Sequence, residues 1–291
     1  MSIIEKEVKP KKKYRTVIKI GGIVIIAIIL LISILFLIVN YSNTVEARIL
    51  VEDGTVKVNG ELAVDKSLLK EGDIIETFSG LATVILYESI VINLEEDTKI
   101  TLEELKEDHP LVNQEQGTTW NKFTKLFGVD DYSIKSGNTF ASVRGTSFEF
   151  SDGKVFTGEG EVKVKIEDKE FSLVAGRVAE KVKEEIRERA ANEEELRKLK
   201  LRRERVLKSL IKLRELEIEK HPKMVKLVQS QTDLSKEDIM FKLKEADAGR
   251  YDIEETLKQA PIKTRPIEKV AEITKKIREL TSNNNREEIN R

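Results

Sequence analysis

Three spacings of apolar residues follow one another along the chain. The first is continuous: from Ile20 to Val39 twenty residues carry no charge, and a helix of that length spans a hydrocarbon layer of about 30 Å. The run is apolar on every side, which separates it from an amphipathic core helix. The second spacing alternates. Val45, Ala47, Ile49 and Val51 lie on one parity, and turn dipeptides follow at Asp53-Gly54 and Asn59-Gly60. Further strand candidates fall at 73–77, 81–87, 89–94 and 98–102, about ten residues apart, with no long helical pattern between them. This predicts an all-β domain over 45–176, a sandwich, a barrel or a β-solenoid-like module, since periodicity does not choose among them. The third spacing returns every three or four residues after Gly176. Leu196, Leu199, Val206, Leu210 and Leu213 form a stripe interrupted by Arg203 and Glu217.

These spacings divide the chain. Residues 1–19 form a short basic segment, 20–40 a transmembrane helix, 45–176 the β domain, 177–220 a long charged helix suited to a coiled coil, 221–280 short helices and 281–291 a disordered tail. Pro222 ends the long helix. Ser235 with Asp238, and Asp252 with Glu255, are placed as helix starts, Gly249 as a stop, and a last helix is expected over 267–280.

One strand candidate changes phase. In "FASVRGTSFEF", Ala141 and Val143 share one parity and Phe148 and Phe150 the other. A single strand could bury all four only with an extra residue between them, so a β-bulge is expected at Gly145. Arg144 then lies beside the bulge, either forking onto a carboxylate or strand-end carbonyl or receiving an anionic ligand, and Thr146 favours extended backbone. In "TTWNKFTKLFG", Trp120, Phe123, Leu126 and Phe127 have helical spacing and suggest a short amphipathic helix; Trp120 is also a candidate for carbohydrate stacking.

Charge then sets orientation. Seven lysines and arginines precede the apolar run, and Glu46, Glu52 and Asp53 follow it, so the positive-inside bias places the N-terminus in the cytoplasm and residues 41–291 outside the cell. The length of the run favours an uncleaved anchor over a signal peptide. The formal charge of the chain is −1, which gives nucleic-acid binding no support. With no cysteine and only His109 and His221, thiolate metal sites and disulfides are excluded, and no catalytic or metal constellation is expected. Acidic clusters at 95–97, 103–108 and 130–131 lack the spacing of an EF-hand loop. No cofactor is implied. The alternating Arg/Lys and Glu of 178–219 reads as a solvated helical face.

The order of motifs across 50–176 resembles the FecR domain, the extracytoplasmic module named after the ferric citrate regulator. The resemblance is carried by "EGDIIET" with Gly72, Asp73 and Thr77, by "GTTWNKFTKL" with Trp120, by Val143, Arg144, Gly145, Thr146 and Phe148, and by Gly160 of "GEGEVKV". It implies a small all-β domain that receives or transmits signals. The family's usual Asp-Gly-Ser turn is Glu88-Ser89 here, and the threonine-proline before its Arg-Gly-Thr strand is Gly137-Asn138. The regulators it resembles carry many tens of residues ahead of their membrane span, against about nineteen here, so direct sigma-factor control is not expected. The resulting expectation is a single-pass membrane protein, membrane-bound through residues 20–39, whose β domain engages an unknown envelope protein or cell-wall polymer. Residues 178–219 are available for homo-oligomerisation. The alternative is a structural envelope scaffold or adhesion protein, and an enzyme is not expected.

Overall fold

The computed structural model describes residues 28–31, 47–124, 129–259, 262 and 264–289. The chain falls into two units, residues 1–42 and 43–291. Of the first, only one helical turn is described, Ile28, Ile29, Leu30 and Leu31, all exposed. The rest of the expected transmembrane segment lies outside the described residues. Among those described, no helix is long and apolar enough to cross a membrane. The expected architecture of one membrane helix, a β domain and a separate helical region is corrected accordingly: two large sheets with helices packed on one of them.

Eighteen strands are described in the second unit. The first nine are β1 (Ala47–Asp53), β2 (Val56–Val58), β3 (Glu61–Leu62), β4 (Leu68–Leu69), β5 (Ile74–Thr77), β6 (Leu81–Leu86), β7 (Ile90–Leu94), β8 (Lys99–Glu104) and β9 (Leu111–Gln116). Then come β10 (Thr118–Phe123), β11 (Tyr132–Ser136), β12 (Thr139–Val143), β13 (Ser147–Ser151), β14 (Lys154–Glu159), β15 (Glu161–Ile166), β16 (Lys169–Val174), β17 (Arg177–Val182) and β18 (Glu185–Ala190). A central sheet runs β18-β17-β14-β13-β10-β7-β6-β1-β4, and an open sheet runs β16-β15-β12-β11-β9-β8-β5-β2-β3. Pairing is antiparallel except between β9 and β11. The chain passes back and forth between the sheets, and from β5 onward each new strand or hairpin joins beside the previous one in its own sheet. Two of the three readings left open by periodicity therefore meet: the cross-section is a sandwich, and the progression along the chain is solenoid-like.

Sequence pattern separates the two sheets. Strands of the open sheet alternate, as in β15, EVKVKI, where Val162, Val164 and Ile166 are buried and Glu161, Lys163 and Lys165 are exposed. Strands of the central sheet are buried on both faces, as in β7, IVINL, and β13, SFEFS. Ile90, Ile92 and Leu94 enter the core between the sheets, whereas Val91 belongs to a second core with helix residues. Near-continuous apolar runs are what a doubly covered strand requires.

The phase change at Arg144–Thr146 has a different cause from the expected bulge. β12 belongs to the open sheet and β13 to the central sheet, so the three residues make a corner. Ala141 and Val143 point inward from one sheet, Phe148 and Phe150 from the other, and all four share one core. Gly145 does adopt the left-handed backbone, at φ +87°. The register shift lies on the neighbouring strand, where Ser147 and Phe148 pair with Glu159 and Thr157 and Gly158 is the extra residue. A Cβ on Gly158 would meet the Trp120 ring at 2.6 Å and Leu199 at 2.7 Å. The expected short helix around Trp120 is also corrected. Residues 118–123 are β10, and 125–128 lie outside the described residues.

The helices are α1 (Glu193–Lys220), α2 (Pro222–Thr232), α3 (Lys236–Asp247), α4 (Ile253–Gln259) and α5 (Arg265–Ile289). Residues 177–190 are a hairpin, not the start of the long helix. The helix begins after Asn192, whose side chain accepts from the Glu195 N–H in a capping box. Ser235 and Asp238 form the capping box expected there, and Pro222 opens α2. The backbone of 281–289, expected to be disordered, continues α5. Leu199, Val206, Leu210 and Leu213 of α1, with Ile273, Ile277 and Leu280 of α5, cover Leu50, Ile85, Trp120, Phe156 and Val178 of the central sheet. The helical stripe is thus buried within the chain. Three layers result, and no described element of this unit covers the outer face of the open sheet.

A Cβ on Gly145 would have nothing within 4 Å, so Gly145→Ala tests backbone strain alone. The expected loss is about 1 kcal/mol of unfolding free energy, measured by urea denaturation; an unchanged midpoint would mean that the corner does not depend on a left-handed residue.

Candidate functional site

The residues that carry the resemblance divide into two structural groups and one outlier. Gly72, at φ +86°, donates its N–H to the Leu102 carbonyl at 2.7 Å. The Asp73 carboxylate accepts from the Asn59 amide and the Lys70 N–H, each at 2.8 Å, and so closes the turn into β5. Thr77 donates its hydroxyl to the Glu95 carbonyl at 2.5 Å and accepts the Thr98 N–H at 2.9 Å. These three stitch one end of the sandwich. Val143, Arg144, Gly145, Thr146, Phe148 and Gly160 meet at the corner between sheets. Thr146 is buried, its methyl lying 2.8 Å from where a Gly160 Cβ would stand, and its carbonyl accepts the Phe123 N–H at 2.9 Å. Phe148 packs against Tyr132 with ring centroids 6.5 Å apart. Trp120 lies elsewhere, 1% exposed beneath α1, beside Phe156 and under the Arg202 guanidinium. That burial rules out stacking on a carbohydrate.

Arg144, Gly145 and Gly160 are the exposed residues of the corner, and of these Arg144 alone carries a side chain into solvent. Its side chain is 73% exposed and its guanidinium is 3.8 Å from Asp131, too long for a fork-to-fork pair. Asp131 is instead engaged by His109, with Nδ1 at 2.8 Å. That hydrogen bond, with the surrounding carboxylates, raises the His109 pKa. The corner bounds a cleft of about 380 Å³ lined by Arg144, Thr146, Gly160, Glu161, Ser142 and Lys163. Ser142 and Lys163 also line a trough of about 460 Å³ along the open sheet, with Phe140, Lys165, Glu170 and Ser172. Strand register explains the alignment: Phe140 stands opposite Lys165 and Lys165 opposite Glu170, while Ser142 stands opposite Lys163 and Lys163 opposite Ser172. Lys165 is 3.5 Å from Glu170, whereas Lys163 has no carboxylate within ion-pair distance among the described residues. The result is a continuous groove with an aromatic wall, hydroxyls and three cations set among Asp131, Glu161 and Glu170, of which Lys163 is the one left without a carboxylate at that distance among the described residues. Such a surface suits an extended acidic or polar segment. Among the described residues no three His, Asp or Glu side chains are grouped to hold a metal ion. Alternation in EVKVKI marks Lys163 and Lys165 as outward-facing, but the sequence does not reveal which strands lie beside them.

The opposite face of the molecule holds charges of another kind. Arg202 bonds Glu149 on β13, Arg203 lies 3.2 Å from Glu159, and Arg205 reaches Glu52 and Glu95 at 3.2 and 2.9 Å. Lys269 of α5 pairs with Glu88 and lies 3.4 Å from Glu217. Burial pushes Lys269 down, to about 8, and Glu217 up. Glu88 follows Tyr87 in a turn where both residues have positive φ, 48° and 56°. Neither is a glycine, and the buried pair to Lys269 and the Tyr87 hydroxyl bond to the Leu105 carbonyl hold them there. Arg203 and Glu217, which interrupt the apolar stripe in sequence, are therefore buried and partnered rather than solvated.

No protein-family model matches the chain, and no curated protein matches it. Among solved structures it is similar to two crystal structures of a "putative anti-sigma factor" from Parabacteroides distasonis ATCC 8503. Each shares 19% identity with a TM-score of 0.37 over 41% of this chain and 60% of that one. The match therefore spans three fifths of the length of those structures. A likeness of this size carries no inference about function.

Arg202→Met leaves Glu149 with Lys154 alone, 3.4 Å away. The expected cost is about 3 kcal/mol in chemical denaturation, part of it regained in the R202M/E149Q double variant. Glu195 supplies a pH test. Hydrogen bonds from Arg189, and then from Lys154 and the Asn192 N–H, hold it at about 2 against an ordinary 4.5. A depressed carboxylate stabilises the fold above about pH 4.5 and loses that contribution as pH falls toward 2. Glu195→Gln is therefore expected to flatten stability across that window, and an unaltered acid limb would place the acid sensitivity elsewhere.

Proposed function

We propose that this chain is a binding and sensing module of FecR-like type, which engages an envelope protein through the outer face of the open sheet. One observation carries the reading. Among the described residues of this three-layered unit nothing covers this face, and its groove joins Phe140, Lys163 and Lys165 to the exposed Arg144. The order of the motifs supports the FecR-like assignment. Their residues serve as the frame, with Gly145, Thr146, Gly160 and Phe148 building the corner and Arg144 presented by it. The groove suits an extended polar partner segment that brings an acidic side chain to Lys163. Helices locked to the central sheet by buried ion pairs suit a receiver whose two halves move together. The basic residues 1–19 ahead of an acidic stretch support an extracytoplasmic setting.

The reading is tested by replacing Phe140 with a photo-crosslinking amino acid in intact cells, with Phe241 on α3, 63% exposed, as the control position. One dominant protein adduct from position 140, weakened by Lys163→Glu and absent from position 241, is the expected result. Adducts only with itself or with wall polymer would favour the structural scaffold instead. Protease shaving of the same cells is expected to cleave this unit, and its protection would overturn the extracytoplasmic setting.

A further inference from the structure

The helical layer contains a cavity that the groove reading does not use. It measures about 110 Å³ and lies among α1, α2, α3, α4 and α5. Ile218, Met224, Leu243, Ile267 and Val270 form its buried wall, and the half-buried Val225, Val228 and Ile239 carry it to the surface. Few polar atoms line it, and the hydrogens of its two threonine hydroxyls are already donated. The Thr232 hydroxyl donates to the Val228 carbonyl at 2.7 Å, and Thr256 to the Tyr251 oxygen at 2.7 Å. A buried water requires two to four polar partners, whereas an apolar cavity of about 150 Å³ accepts a benzene-sized group. The interior therefore favours one aliphatic or aromatic group over water.

Lys242 is the exception. It lines the same cavity, with its ammonium 4.4 Å from the centroid of the Tyr251 ring. Glu245 pairs with Arg250 and Glu254 with Lys275, while Asp238, one turn earlier on α3, caps the helix through Ser235 and acts on Lys242 only as a nearby opposite charge. No carboxylate lies within ion-pair distance of Lys242 among the described residues. An ammonium has three donors and no acceptor, so the cavity combines a dry apolar interior with a cation seeking an anion at its margin. We infer that this cavity binds a small carboxylic acid with a single apolar body, aromatic or branched aliphatic, its carboxylate on Lys242 and its apolar group between Met224 and Val228. The site is independent of the groove on the open sheet.

The chain has three methionines, Met1, Met224 and Met240, which suits methyl-labelled methionine NMR of the full chain with phenylacetate as the probe. Phenylacetate is expected to shift the Met224 resonance saturably, with a Kd on the order of 1 mM. Phenylacetamide, which lacks the charge, is expected to bind about fivefold more weakly. Lys242→Gln should remove the preference for acid over amide, and Val228→Phe should block both. Val225→Phe serves if Val228→Phe does not fold, with far-UV circular dichroism as the check. No saturable shift at tens of millimolar, equal binding of acid and amide, or shifts untouched by the variants would each overturn the assignment. Binding of a peptide ending in phenylalanine without binding of phenylacetate would overturn the small-molecule class.

Discussion

A sheet covered on both faces has no solvent in which to leave a charge, yet the central sheet carries Glu149, Glu159, Lys122 and Lys154 on the side that meets α1. Each has to find a partner of opposite sign within the layer, because an unpaired charge there costs several kcal/mol. Arg202 and Arg203 of α1 meet those carboxylates and Arg205 meets Glu52 and Glu95, while Leu199, Val206 and Leu210 fill the apolar gaps. This requirement fixes where α1 lies on the sheet more tightly than apolar contact does, since a shift by one turn would keep leucines buried but strand the arginines. The position of α5, the turn at Glu88 and the glycine at 158 all follow from that docking.

Polar order also runs through the core between the sheets. The Tyr132 hydroxyl donates to Asn121 at 2.8 Å, the Asn121 amide to Thr119 at 2.9 Å, and Gln114 reaches the Gly117 and Phe150 carbonyls at 2.9 and 3.2 Å. Tyr132 belongs to the open sheet and Asn121 to the central one. Burial of this chain raises the Tyr132 pKa well above that of a free phenol, so the hydroxyl stays a donor. A fully satisfied network of this kind favours one register between the sheets over slipped alternatives.

Much of this was legible in the sequence. Alternation in EVKVKI and near-continuous apolar runs in LATVIL and IVINL distinguish open from central strands, and the capping boxes mark helix starts because they rest on contacts three residues apart. The hairpin of 177–190 was not legible. It buries only Val178 and Ala179 at low exposure, turns at Lys183 without a glycine, and is held by cross-strand pairs such as Arg177 with Glu188, so its dense charge imitates a helix. The corner at Gly145 was half legible: the residue and its backbone sign follow from local rules, whereas the change of sheet is a fact about the whole topology. The charged seam was invisible for a related reason. Arg202 and Glu149 are 53 positions apart, and nothing local distinguishes a buried arginine of α1 from its solvated neighbours. For the groove, the sequence marked Arg144 and the outward lysines but not their meeting.

The back-and-forth winding has a consequence for how the protein is made. Because strands join largely in chain order, the sandwich can assemble from its N-terminal end while synthesis continues. The outer face of the central sheet, with Leu50, Ile85, Val91, Trp120, Phe156 and Val178, is complete once Ala190 has emerged, but its cover ends only at Leu280. Adding those roughly ninety residues takes on the order of 5–20 s at ribosomal rates. For that interval a nascent chain displays a broad apolar sheet studded with glutamates held only by the sheet's own lysines, and those charged groups guard it against self-association until the arginines arrive.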